Sequence, residues 1–139
     1  FDRFTNAIID DLSESISKYP KLKFYIINQG ITLSDSQVDC LHLKLSGSIL
    51  ENLLNAKGCN TTVDYKNNKK IIINQKLKTL ESKHPNVKII DRNESLQVKK
   101  DLYQIKDKNG NPLFFDDNHL SAAGAMIVGE AIMKQLEKK

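Results

Sequence analysis

From Phe1 to Tyr19 the apolar side chains fall at Phe1, Phe4, Ile8, Leu12, Ile16 and Tyr19, three or four apart, with Asp2, Arg3, Asp10, Asp11 and Glu14 on the opposite side. A stripe of that period predicts an amphipathic helix buried along one face. Pro20 stops it, because proline has no N–H to donate to a continuing helix. Leu22–Asn28 (LKFYIIN) is then a short bulky run closed by Gln29-Gly30, the pattern of a buried strand. The same order returns later in the chain. Tyr65, Ile72, Ile73, Leu77 and Leu80 predict a helix from about Asp64 to Lys83, with Asp64 as its N-cap, and after His84-Pro85-Asn86 the run Val87–Asp91 (VKIID) predicts a second strand. Helix-then-strand, twice over, predicts α/β architecture with a parallel sheet.

The remaining segments are less uniform. In Ile31–Gly47, Leu41, Leu43 and Leu45 alternate as in a strand while Ser34-Asp35-Ser36 resembles a helix cap, so the segment reads as a long irregular connection. Ser48–Lys57 predicts a short helix ended by Gly58. Asn109-Gly110, inside Tyr103–Phe115, predicts a hairpin. Ser121 predicts the cap of a last helix reaching about Glu137, with Ala125, Val128, Ile132 and Leu136 inward and Glu130 four residues ahead of Lys134 outward. Two parallel strands and one hairpin cannot cover so many apolar helix faces. The expectation is therefore a piece of a longer protein, residues 1–139 forming part of one domain whose first strands lie before Phe1.

Composition narrows the function classes. The chain is 40% hydrophobic and 27% charged, ordinary globular values, and its longest aliphatic run is Ile71-Ile72-Ile73, far below the roughly 20 residues of a membrane span. Its 21 Lys+Arg exceed 17 Asp+Glu for a net charge of +4, but only Arg3 and Arg92 are arginines and the lysines are scattered, which argues against nucleic acid as a partner. Cys40 and Cys59, without a CxxC or a neighbouring His pair, do not form a zinc site; they suit either one disulfide or two buried thiols.

The sharpest local signal is Phe114-Phe115-Asp116-Asp117-Asn118-His119-Leu120-Ser121-Ala122-Ala123-Gly124. A strand-like run ends in carboxylates and a His sits just before a capped helix, where open α/β sheets place ligand groups. A carboxylate three residues before a His, across a turn, can accept from Nδ1–H and leave Nε2 free as a base. Read without that chemistry, Asp116, Asp117 and Asn118 are turn formers and His119 is a surface residue. Other candidates are weaker: His42 and His84 have no carboxylate at triad spacing and read as solvent-facing, and Asp107–Asn111 begins like a calcium loop but has Pro112 where that loop requires Gly. Asn60-Thr61-Thr62 is a formal glycosylation sequon in a chain unlike a eukaryotic secreted protein.

The stretch FFDDNHLSAAGA resembles the C-terminal block of SGNH (GDSL-like) hydrolases, and more closely that of the SGNH domain fused to bacterial membrane acyltransferases that modify surface polysaccharides. Asp116, His119, Leu120, Ser121 and Gly124 carry the likeness, which is sharp over residues 110–128 and loose elsewhere. It implies a flavodoxin-like three-layer parallel sheet with flanking helices, and acyl transfer by a Ser-His-Asp mechanism with His119 as base and Asp116 as its orienter. The partners it implies are an acyl donor, a carbohydrate acceptor (or water, in an esterase) and a membrane acyltransferase domain in the same full-length chain. No cofactor or metal is implied. The location it implies is periplasmic or extracytoplasmic, tethered to the inner membrane, which is compatible with a Cys40–Cys59 disulfide. The Gly-Asp-Ser nucleophile block and the oxyanion Gly and Asn blocks are not in this sequence; Ser46-Gly47-Ser48 reads as a loop. The expectation is that those blocks lie upstream of Phe1. The alternative is a non-catalytic module that keeps the fold to bind a glycan or a protein.

Overall fold

A computed structural model describes residues 2–41, 59–66 and 69–138. Helix α1 (Asp2–Ser17) leads into strand β1 (Phe24–Ile27), and helix α3 (Lys69–Lys83) leads into β3 (Val87–Ile90). The two strands pair in parallel, Phe24 opposite Val87 through Ile27 opposite Ile90. Because side chains alternate along a strand, β1 and β3 each offer one set to either face. Phe24, Ile26, Val87 and Ile89 meet Ile9, Leu12 and Ile16 of α1 and Leu77 and Leu80 of α3. On the opposite face of β3, Lys88 reaches the C-terminal end of helix α4 (Ala122–Glu137), donating to the carbonyls of Gln135 and Lys138. Helices thus lie on both sides of β3, the layering of an α/β fold, while Tyr25 and Ile27 on the same face of β1 are exposed.

A second sheet sits beside the first. Strands β2 (Thr62–Asp64), β5 (Leu102–Gln104) and β4 (Gln97–Lys99) run antiparallel in the order β2-β5-β4. Val63 of β2 and Tyr103 of β5 join Ile31, Leu33, Leu41, Tyr65, Leu96, Ile105, Leu113, Phe114 and Val128 in the larger core, while β4 is exposed. Tyr65 and Tyr103 meet edge to face at 5.9 Å, and the Tyr65 hydroxyl donates to the Thr32 carbonyl at 2.6 Å. Burial is the main cause that pushes the Tyr65 hydroxyl well above the ordinary tyrosine range, with Tyr103 adding to it.

Several expectations change. Ile31–Gly47 is not irregular throughout: Asp35–Leu41 forms helix α2, at whose start Ser34 N–H donates to Gln37 Oε1 at 2.8 Å, one half of a capping box. The helix expected from Asp64 starts at Lys69, because Thr62–Asp64 pairs with β5 instead. The buried side of α1 is rotated from the expected stripe: Thr5, Ile9 and Ile16 are buried, while Phe4 is 72% exposed and Ile8 and Tyr19 are also exposed. In α4, Gly124 and Val128 turn inward and Ala125 does not. Asn109-Gly110 does lie in a tight turn, with Gly110 at φ +79, but the arms carry only an isolated Lys106–Pro112 bridge. The helix expected at Ser48–Lys57 lies outside the described residues.

Candidate functional site

Leu113 and Phe114 are fully buried and fix the entry to the Asp-x-x-His turn. Leu113 N–H donates to Ile105 O, Ser121 N–H returns to Leu113 O, and Phe114 bridges Leu120, so residues 115–119 project as a closed loop from the core. Phe115 N–H closes that loop on His119 O at 2.8 Å. At its far end Ser121 caps α4: its hydroxyl accepts from Gly124 N–H at 3.1 Å and donates to Pro112 O at 2.7 Å. Gly124 is required there, since a Cβ would stand 2.0 Å from the Leu113 carbonyl oxygen.

Inside the loop Asp116 makes three contacts. Its Oδ1 accepts from the backbone N–H of Asn118 at 3.0 Å and of His119 at 2.7 Å, and its Oδ2 lies 2.7 Å from His119 Nδ1. Those backbone N–H groups, Asn118 first and His119 next, with the imidazole contact after them, hold the carboxyl down to about 2. An ionised Asp116 fixes the proton on Nδ1 and leaves Nε2 as the acceptor. Among the described residues Nε2 has no partner, and the His119 side chain is 74% exposed. Asp117 contributes its main-chain carbonyl, which accepts from Leu33 N–H at 2.7 Å and ties the loop to the segment after β1. The two aspartates, alike in sequence, therefore sit in different roles.

His119 lines a cleft of about 400 Å³ together with Gln29, Gly30, Ile31, Lys70, Arg92 and Asn118. Gly30 and Arg92 lie just past the C-terminal ends of β1 and β3, the edge at which parallel sheets bind ligands. The floor is braced by polar groups that sequence reasoning missed. Asn28 donates to Asp91 Oδ1 at 2.8 Å and accepts from Arg92 N–H at 3.0 Å; Asn93 accepts from Ile31 N–H and donates to Gln29 O. Asn74 brackets Gln29 from α3, bonding both its N–H and its carbonyl. The available signal was that both strand runs, FYIIN and VKIID, end in a polar residue at the same register.

The other candidates fall elsewhere. Cys40 and Cys59 are joined in a disulfide with Cα atoms 5.3 Å apart. His84, expected to face solvent, is half-buried, its Nε2 2.7 Å from Ser13 Oγ where α1 packs on α3. Among the described residues no carboxylate bonds that imidazole, so the pair lacks an orienter. Asp107 is a turn former, accepting from Asn109 N–H and from both nitrogens of Asn111. His42, Ser46 and Ser48 lie outside the described residues, among which no group of His, Cys, Asp and Glu side chains could hold a metal.

A family model described as an SGNH domain fused to AT3 domains matches residues 2–134. No curated protein and no solved structure matches the chain.

Proposed function

This chain belongs to the SGNH domain family in the form fused to AT3 acyltransferase domains, a family of hydrolases and acyltransferases, and from that premise we propose that His119 and Asp116 are the acid–base half of a serine acyl-transfer site. The observation that carries the reading is the 2.7 Å contact from Asp116 Oδ2 to His119 Nδ1, with Oδ1 held by two backbone N–H groups. A carboxylate fixed in that way cannot rotate away from the imidazole, so the base keeps one tautomer and one orientation.

In the proposed reaction Nε2 of His119 takes the proton of a serine hydroxyl as its oxygen attacks an acyl ester, and the resulting imidazolium is stabilised by Asp116. The imidazolium then protonates the departing alcohol. In the second half His119 deprotonates an incoming hydroxyl, of a carbohydrate or of water, which releases the acyl group and restores the serine. The Gly-Asp-Ser block that would carry the nucleophile is not in this sequence, so the reading assigns the nucleophile and the oxyanion donors to a part of the full-length protein outside this chain. An AT3 domain in the same polypeptide would supply the acyl group, and an extracytoplasmic location tethered to the inner membrane fits both that arrangement and the disulfide.

The test is turnover of a small neutral acyl ester by the full-length protein carrying His119→Ala. Loss of the base should lower kcat by about 10²-fold or more. Turnover equal to wild type would remove His119 from the mechanism.

A further inference from the structure

The cleft beside His119 contains chemistry that proton transfer does not use. Lys70 and Arg92 both line it, and among the described residues no carboxylate side chain does. Arg92 is half-buried, and among the described residues no carboxylate pairs with its guanidinium. Its position is set from two sides. The Arg92 N–H is bonded to Asn28 Oδ1, and Cζ, Nε and Nη1 lie at nearly equal distances, 3.0, 3.1 and 3.2 Å, from where a Gly30 Cβ would be. Equal distances mean that the guanidinium turns its face to Gly30, and its N–H edge, which bonds no group among the described residues, can meet a ligand in its own plane. A residue larger than glycine would push that group away. The Lys70 ammonium is steadied by a hydrogen bond to the Thr32 hydroxyl. A half-buried guanidinium whose edge meets the cleft matches the paired oxygens of a carboxylate or phosphate, and the Lys70 ammonium adds positive charge to the same lining.

We propose that this cleft binds an anionic oxygen group of the acceptor, a carboxylate or a phosphate carried on a saccharide, and so holds a neighbouring hydroxyl beside His119. The proposal rests on His119 acting as the base. Arg92 and Lys70 are then the specificity-determining residues, and Gly30 is a positioning residue acting through Arg92.

The experiment is an NMR titration of the ¹⁵N-labelled full-length protein with glucuronate, glycerol 3-phosphate and, as the neutral arm, methyl glucoside. Saturable shifts at Gly30, Arg92 and His119 with either anion, and none with methyl glucoside, support the site; the tighter anion identifies a carboxylate or a phosphate source. Arg92→Gln should weaken the anion by about tenfold or more, as expected for loss of a charge-assisted bond. Arg92→Lys, which keeps the charge but not the fork, and Gly30→Ala, which displaces the guanidinium by a few tenths of an ångström, should fall between. Equal binding of methyl glucoside, or unchanged anion binding in Arg92→Gln, overturns the proposal. Binding is read here without turnover, so anion binding that survives alongside a fully active His119→Ala enzyme would defeat the acyl-transfer reading and leave the anion site standing.

Discussion

At the scale of single residues, the Asp-x-x-His pair was legible because both partners lie in one turn, where a spacing of three fixes the geometry. Asn28, Asp91 and Asn93 were not. Asn28 lies more than sixty positions from Asp91 and Asn93, and the three meet only once β1 and β3 pair. The same local geometry makes a titration prediction. Backbone N–H groups are the largest causes of the low Asp116 value, so His119→Ala, which keeps both, should leave the carboxyl titrating below the ordinary value of about 3.9. A carboxyl ¹³C titration that returned to that value would show the imidazole to be the main cause. The sign for stability follows: the unfolded chain binds the proton more tightly, so the contribution of Asp116 is complete above about pH 4 and is lost as pH falls through about 2.

At the scale of elements, periodicity located helices and strands better than it located their faces. The Phe4-Ile8 stripe is as regular as Thr5-Ile9-Leu12-Ile16, and hydrophobicity alone favours the wrong one; α3 decides by packing on the second. Tyr65 fell on the helical period of Ile72, yet pairing of Thr62–Asp64 with β5 outweighed helix propagation and took Tyr65 into the larger core. The start of α4 was clearer, since Ser121 and Gly124 each have one steric or hydrogen-bonding use. Ser121→Ala should cost about 1 kcal/mol through its lost cap. Gly124→Ala should cost more, about 1–3 kcal/mol, because the Leu113 carbonyl must move. Urea midpoints compare the two, and an unchanged midpoint in Gly124→Ala would contradict the packing of α4 against Leu113.

At the scale of the whole molecule, the parallel pair and its flanking helices were readable from the repeated helix-strand order, whereas the antiparallel sheet was not, its strands being three residues each with no clear alternation. The disulfide closes a loop of 19 positions, which the chain-entropy model values at about 3 kcal/mol. Reduction should lower the unfolding midpoint accordingly, and non-reducing peptide mapping should join Cys40 to Cys59; free thiols at both positions in oxidised protein would refute the link. The central claim, that Asp116 orients a catalytic His119, is tested most directly by comparing kcat for Asp116→Asn and Asp117→Asn in the full-length protein on one neutral ester. The account predicts a steep fall for Asp116→Asn, approaching the about 10⁴-fold known for orienter loss in a serine protease, and near wild-type turnover for Asp117→Asn. An Asp117 variant damaged more than the Asp116 variant would contradict it.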